Sequence, residues 1–462
     1  MSAENRRNVK WVEGLRGITS VLVITTHMAR AWDFQLFWPS DSKEVAARIW
    51  QYPILRVPFQ GRVGVPIFAF LTGFVCAYKP LKLAYQQSNQ PAALQSVARS
   101  AFRRPPRLIL PAVIATLISF LIACLGGYKT ANRVDAFWVR FDAPEPVAGL
   151  GEEVRRLFHT TLSTWTNGEN LYDRHQWAMR PLLIGAFQVY VVLAATIGMR
   201  FRYRIVVHLL LLSYWLLNTS VMTETFGANL ALGTLLAELS LHRPTQNFLA
   251  ARARVLTCVA APMLLIVGLF LGGFPHEHED WKPWSWWLHT TFVDPAGDRS
   301  RGSFLVPNGA DPPRRFSSAC VQLSAIAIFL SPALRDLLSH RILLWLGKHS
   351  FAVYLVHGTI LRTVGVWIVW GITGEPWSPA EREEDQQWLP VISGDRKRVA
   401  VVVFVGLTYL AAWAWMKWVD TACARATMWL EQRVFDDDGD GREGLAEKGH
   451  GHGPNGHVVL KN

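Results

Sequence analysis

The chain has 462 residues, of which 50% are hydrophobic and 18% are charged, and it contains 21 Trp and 24 Phe. Soluble domains carry closer to ~25% charged residues, and this composition also excludes a disordered chain, a coiled coil and a disulfide scaffold. The formal net charge of +12 is therefore interpreted against a membrane, and no nucleic-acid partner is predicted. The sequence predicts an all-α, polytopic membrane protein that has the lipid bilayer as a partner.

Ten apolar segments are each near the ~20 residues that a membrane-spanning helix requires. The predicted spans are residues 14–31, 62–79, 106–126, 178–198, 205–219, 221–241, 255–273, 317–333, 350–371 and 399–419. The fifth and sixth are separated only by a tight turn near Ser220, so the count depends most on that turn. Residues 1–419 are predicted to form one transmembrane domain, and residues 420–462 a disordered cytoplasmic tail rich in acidic residues and His.

Lys and Arg cluster before the first predicted span, between the second and third, between the fourth and fifth, after the sixth and before the ninth. These are alternate connections, and cytoplasmic connections carry an excess of Lys and Arg, so both termini are predicted to face the cytoplasm. The long loops 127–177 and 274–316 then lie on the opposite side. We expect a multi-pass integral protein of an endomembrane or of the plasma membrane.

The first predicted span carries Arg16 and His27, two ionisable groups at membrane depth. Their separation corresponds to about 1100° of helical rotation and ~16 Å of rise, so both lie on one helix face. Ionisable residues inside a membrane are energetically expensive and are therefore candidates for function. The alternative is a snorkelling Arg beside a structural, hydrogen-bonded His.

The third predicted span opens with Phe102–Arg107, which places Arg104 and Arg107 three residues apart and hence on one face. Pro105 and Pro106 fit the first turn of a helix, where free amides and the helix dipole favour an anion. The segment thus predicts a phosphate clamp. Positive-inside anchoring of the helix is the alternative explanation of the same charges.

The ninth predicted span places Tyr354 and His357 on a shared helix face. Together with His27 they predict a polar cavity inside the membrane. A cytoplasmic anion site and a deep histidine suit acyl-CoA, in which a phosphate-rich nucleotide is joined by a long arm to a thioester. A neutral imidazole at the thioester can deprotonate an attacking alcohol.

Four motifs in chain order resemble those of the acyltransferase 3 family of integral-membrane O-acyltransferases. Glu13–Gly17 with His27 resembles the R-x10-H signature of the family, and Gly61–Phe74 resembles its second-span motif, with Thr72 where the family usually has Ser. Arg104–Arg107 resembles its R-x-x-R motif, and Leu346–His357 resembles its late-span motif.

The resemblance implies transfer of an acyl group, usually acetyl, from a cytoplasmic CoA ester to a hydroxyl group. It implies His27 as the catalytic base, and Arg16, Arg104 and Arg107 as the residues that bind the donor, acyl-CoA or more narrowly acetyl-CoA. Tyr354 and His357 are further catalytic candidates, which would line the cavity or stabilise the oxyanion.

One position departs from the family pattern. Gln176–Pro181 resembles the Trp motif of the fungal branch, which includes tailoring enzymes of secondary metabolism, but the acidic residue expected five positions after Trp177 is Leu182 here. If that carboxylate orients an acceptor or a base, this chain lacks it. A catalytically altered acyltransferase-like protein is therefore one alternative, and a transporter or permease with Arg16 and His27 along its pathway is another.

No metal site is predicted. Asp436–Glu447 has the spacing of an EF-hand loop, but its charged eighth position and the Gly-rich segment that follows favour a solvated tail. His276–Asp280 is a cluster without a spaced partner motif. The acceptor is left open between a small molecule, such as a secondary metabolite, and a glycan.

Overall fold

The computed structural model describes residues 3–59, 61–87, 89–145, 149–220, 223–297, 302–373 and 387–435. Within these ranges the chain is helical and has no β-strand, although Val134 and Leu389 form an isolated bridge. The prediction of an all-α protein is therefore confirmed.

The α-helices of the described ranges follow one another along the whole chain. They are α1 (Ala3–Trp32), α2 (Gly64–Gln87), α3 (Gln90–Cys124), α4 (Phe137–Asp142), α5 (Leu150–Thr166), α6 (Met179–Thr196), α7 (Phe201–Leu217), α8 (Ala228–Leu241), α9 (Arg243–Ala251), α10 (Ala253–Val255), α11 (Ala261–Gly272), α12 (Pro283–Leu288), α13 (Pro312–Leu330), α14 (Pro332–Leu338), α15 (Arg341–Ile360), α16 (Val366–Trp370), α17 (Gly394–Trp415) and α18 (Thr421–Phe435).

Six helical segments in the described ranges are long and apolar enough to cross a membrane, and the bent pair α13–α14 raises the number to seven. The six are Gly64–Tyr85, Gln90–Cys124, Arg174–Thr196, Ala253–Gly272, Arg341–Trp370 and Gly394–Phe435. The predicted count of ten is not confirmed. With 17 and 14 residues, α7 and α8 are short for a span, and the 30-residue α1 carries many charged residues.

Helix α3 differs from the prediction at its start. It begins at Gln90, where the Asn89 side chain caps it by accepting a hydrogen bond from the Ala92 amide at 3.0 Å. Pro105 and Pro106 therefore lie inside a 35-residue helix and not in its first turn. The prediction that free helix-start amides contribute to an anion site at these prolines is wrong.

Close helix crossings fix the relative positions of α1, α2, α8 and α15. Helix α1 packs along α15, and α2 packs along α8. A Cβ atom on Gly347 would lie 1.9 Å from the Glu13 carbonyl oxygen, and one on Gly73 would lie 2.2 Å from the Leu230 carbonyl oxygen. Small residues thus let the backbones approach closely, as in other membrane helix pairs.

The predicted tail begins with an ordered helix, α18, which packs on α3. Arg103 of α3 forms an ion pair with Glu431 of α18 at 2.5 Å, and the Phe102 and Phe435 rings meet edge to face. The EF-hand-like segment Asp436–Glu447 lies outside the described residues.

Candidate functional site

Helices α1, α2 and α3 surround a cationic cavity of about 500 Å³, called here the Arg104 cavity. Five cationic side chains contribute to its lining: Arg16, Lys79, Arg103, Arg104 and Arg107. No acidic residue of the described chain lines it. The structure therefore brings the three predicted donor-binding arginines into one cavity whose charge is uniformly positive, a property suited to a polyanion.

The charge of the Arg104 cavity comes from side chains, since the helix start lies far from it. One Nη of Arg104 donates to the hydroxyl of Thr72 on α2, at 3.4 Å. Leu182, at the position where the family pattern expects a carboxylate, lines the same cavity and is 7% exposed. An acidic side chain there would therefore face these arginines.

A second cavity, of about 660 Å³, is called here the His27 cavity. His27 and Arg30 of α1 contribute to its lining, together with residues of α4 and of the segment before α6. Arg16 and His27 lie on the same continuous helix, ~16 Å apart along its axis, and each lines a different cavity. One helix thus carries residues of both cavities.

Three histidine rings form a cluster beside the His27 cavity. The ring centroid of His357 lies 4.9 Å from that of His27 and 4.5 Å from that of His175, and His27 and His175 are 6.0 Å apart. His27 and His175 line the cavity, whereas His357 is fully buried behind them. His27 and His357 were predicted from the sequence as catalytic candidates, whereas His175 was not.

The hydrogen bonds of two of these histidines fix their tautomers. Nδ1 of His357 lies 2.8 Å from the Tyr354 carbonyl and 3.0 Å from the Val353 carbonyl, and because a carbonyl only accepts, this nitrogen carries the hydrogen. Nδ1 of His175 lies 3.0 Å from the Asp173 carboxylate. Nε2 of each ring is buried and has no partner among the described residues. Each of these nitrogens therefore carries a lone pair that can accept a proton.

Asp173 and Arg362 support this cluster from behind. The Asp173 carboxylate, fully buried, pairs with the Arg362 guanidinium as well as with His175. Burial raises the pKa of Asp173 to about 6, although Arg362 opposes the shift. A carboxylate that holds a histidine by its Nδ1 fixes the orientation and tautomer of the ring, which is the arrangement of many general bases.

Tyr354 lies where the two cavities meet, since it lines both. Its hydroxyl donates a hydrogen bond to the backbone carbonyl of His175. Of the two roles predicted for Tyr354, the structure places it as a cavity wall, and its hydroxyl hydrogen is already engaged.

The far-side acidic and histidine cluster is dispersed among separate partners. Nδ1 of His276 lies 2.9 Å from Arg62, Asp280 pairs with Lys43 at 2.9 Å, and Glu279 lies 3.2 Å from His289. In the described part of the chain, no group of three or more His, Cys, Asp or Glu side chains is arranged so that it could hold a metal ion.

The family profile of the acyltransferase 3 acyltransferase domain matches residues 9–378. The chain belongs to the acyltransferase 3 family. Both cavities and the three-histidine cluster fall within the matched region, and the family resemblance drawn from the four motifs is confirmed.

Acyltransferase 3 relatives from fungi match along most of their length. O-acetyltransferase PaAT-1 of Phomopsis amygdali is 23% identical over 93% of this chain and 85% of its own. Acyltransferase R4 of a Phoma species is 24% identical over 79% of this chain and 86% of its own. No solved structure matches. Membership of the acyltransferase 3 family, with several apolar helices, indicates a multi-pass membrane protein and supports acyl transfer as its reaction class.

Proposed function

We propose that this protein is a multi-pass membrane O-acyltransferase that transfers an acyl group, acetyl in the first instance, from acyl-CoA to a hydroxyl of a secondary metabolite or glycan. The observation that carries the proposal is the pair of cavities that meet at Tyr354, one lined by cations and the other by His27 and by His175, whose Nε2 has no partner among the described residues. A polyanionic donor and a hydroxyl acceptor would thus approach one point from opposite sides.

The donor occupies the Arg104 cavity from the cytoplasm. Arg104 and Arg107 bind its phosphates, and Arg16 lies further along the arm of the donor. Five cations with no acid in the lining neutralise the phosphates of CoA, although Arg16 and Arg103 each also pair with a glutamate, and the arginine guanidinium groups match phosphate geometry. The thioester end then passes Tyr354 towards the histidines.

The acceptor occupies the His27 cavity, and His27 acts as the base. The His27 imidazole takes the proton of the acceptor hydroxyl while the oxygen attacks the thioester carbonyl carbon. The carbon–sulfur bond breaks, the proton passes from the imidazolium to the departing CoA thiolate, and the products are an ester and CoA. His357 and His175 lie against His27 and limit the positions that its ring can adopt.

The choice of acetyl follows a relative that is named an O-acetyltransferase, and the choice of a secondary metabolite follows the resemblance of the Trp motif to the fungal branch of the family. Leu182 leaves the Arg104 cavity without the carboxylate of the family pattern, but the histidine cluster has a carboxylate of its own, because Asp173 holds His175 beside the base His27. This favours a working enzyme over a catalytically altered one.

The test is the thermal stability of the purified full chain with and without acetyl-CoA, in wild type, Arg104→Ala, His27→Ala and Arg202→Ala. A ligand at a hundred times its dissociation constant should stabilise the folded protein by ~2.7 kcal/mol. We expect this stabilisation in wild type and His27→Ala, and its loss in Arg104→Ala. Arg202 is exposed and lines neither cavity, so Arg202→Ala is the matched control.

Two results would count against the proposal. Absence of stabilisation by any acyl-CoA in the folded wild type would remove the donor and favour a transporter. Stabilisation by acetyl-CoA without acyl transfer to any acceptor would favour an acyltransferase-like protein without activity.

A further inference from the structure

The His27 cavity contains more positive charge than a neutral alcohol requires. Four arginines line it, Arg30, Arg62, Arg174 and Arg314, against two acidic residues, Asp142 and Glu169. Proton transfer by His27 uses none of these arginines. The side-chain contacts of these four arginines therefore show which of them have a structural role and which are available to bind a ligand.

Two of the four arginines are engaged within the protein. Arg62 pairs with Asp311 at 2.8 Å, and Arg314 pairs with the same carboxylate at 3.2 Å. Arg62 also lies 2.9 Å from Nδ1 of His276. This pair is explained by its role in joining the loop after α1 to the start of α13.

Arg30 and Arg174 differ from that pair, because neither forms a hydrogen bond or an ion pair with any described residue. The Arg30 guanidinium lies 4.6 Å from the centre of the Trp138 ring, and that of Arg174 lies 4.3 Å from the centre of the Phe141 ring. Nε of each is buried and unpartnered within the described ranges. Contact through the flat face holds a guanidinium in place and leaves its N–H edge free for a planar anion.

Asp142 is the acidic residue near both arginines, and it does not satisfy them. It interacts with each at a distance but forms no ion pair with either one, and burial raises the pKa of its carboxyl group. With all carboxylates ionised, the four arginines face three acids, Asp142, Glu169 and the shared Asp311, which leaves one positive charge beside the histidines. A buried donor without a partner is costly, so this charge calls for a ligand.

We propose that the acceptor is a hydroxy acid, whose carboxylate binds Arg30 and Arg174 while its apolar body lies against Trp138 and Phe141 and its hydroxyl faces His27. A single carboxylate matches the residual charge, and its two oxygens match the N–H edge of a guanidinium. This inference rests on the proposed function, since it names the substrate class of the same cavity.

The experiment compares 6-hydroxy-2-naphthoate and 4-hydroxybenzoate with their methyl esters, each titrated calorimetrically into the purified full chain. Acid and ester share the ring and hydroxyl and differ in charge. We expect each acid to bind about tenfold more tightly than its ester in wild type. This preference should fall close to unity in the Arg30→Gln/Arg174→Gln double variant.

Arg155→Gln is the matched control, because Arg155 of α5 is 79% exposed and lines neither cavity, and its acid preference should equal that of wild type. Equal affinity of wild type for acid and ester, or no binding of either acid, overturns the inference. A preference that persists in the double variant overturns it as well. Acetyl-CoA stabilisation, measured on the same samples, tests the proposed function separately, because a wild type that acetyl-CoA does not stabilise contradicts that function alone.

Discussion

The Arg104 cavity and the His27 cavity lie on either side of Tyr354, and their walls differ in the source and the balance of their charges. In the Arg104 cavity, five cations come from three neighbouring helices and no acidic residue of the described chain is in the lining, although Arg16 and Arg103 pair with glutamates outside it. In the His27 cavity, arginines, carboxylates and histidines come from both helices and loops, and many of them are paired.

This difference indicates two kinds of recognition. A lining whose charged side chains are all cationic attracts a polyanion. Because these side chains are long, they can bind phosphate groups in several positions. The Nε2 atom of His175 and the two arginines, Arg30 and Arg174, that have no side-chain partner among the described residues can instead hold a ligand at particular points. We therefore expect substitutions in the Arg104 cavity to change donor affinity, and substitutions at the histidines to change the rate of transfer.

The largest effect is expected for His27→Asn, which removes the base and keeps a polar side chain. Transfer should fall by roughly 100- to 10,000-fold, the usual contribution of a general base. The measurement is incorporation of label from radiolabelled acetyl-CoA into organic-soluble product, with membranes that contain the native acceptor. His349→Asn is the control, because His349 is a buried histidine that lines neither cavity.

The pH dependence of the same assay tests the protonation state of the base. An imidazolium cannot accept a proton, so the rate should fall about tenfold per pH unit below the pKa of the base and level off above it. A rate that stays flat across acidic pH, with acetyl-CoA binding intact, would rule out His27 as the base.

A smaller loss is expected for Gly358→Ala, which disturbs the histidine cluster from behind. The added Cβ would lie 2.3 Å from Cε1 of His175 and 3.0 Å from the Asp173 carboxylate, so the ring must move. Overpacking of this kind typically costs 1–3 kcal/mol. We expect a lower melting temperature and slower transfer, with acetyl-CoA stabilisation kept.

Gly406→Ala in α17 is the matched control, since nothing lies within 4 Å of the position of its Cβ. Alanine is the better helix former there, and stability should rise by about 0.5–1 kcal/mol. A Gly358→Ala variant that transfers acetyl at the wild-type rate would show that the His175 position is irrelevant to the reaction.

The sequence predicts the Arg104 cavity better than it predicts the His27 cavity. Helical periodicity paired Arg104 with Arg107, the family resemblance added Arg16 as a donor-binding residue, and the three side chains line one cavity. The physical reason given for Arg104 and Arg107 was nonetheless partly wrong. The third span was predicted to open at Phe102–Arg107, whereas α3 begins at Gln90 and leaves the prolines in its interior.

The histidine cluster depends on tertiary contacts that no spacing along the chain reveals. His175 meets His357 only because the segment before α6 folds back on α15, where the absence of a side chain on Gly358 leaves room for the ring. The partners of Asp173 are equally remote in sequence, since Arg362 follows it by 189 positions. The lack of a side-chain partner for Arg30 and Arg174 among the described residues likewise depends on tertiary contacts that the sequence does not show.

The smallest effect is expected for Leu182→Glu, which restores an acidic residue at the position where the family pattern has one. In this chain the new carboxylate would face Arg104 and its neighbours and compete with the donor phosphates. A partly exposed charge pair is worth up to about 1 kcal/mol, so acetyl-CoA should bind up to about fivefold more weakly in calorimetric titration. Leu182→Gln, with the same shape and no charge, should bind acetyl-CoA nearly as wild type does. Faster transfer by Leu182→Glu would instead mean that the carboxylate assists the reaction in this family, and that Asp173 does not replace it here.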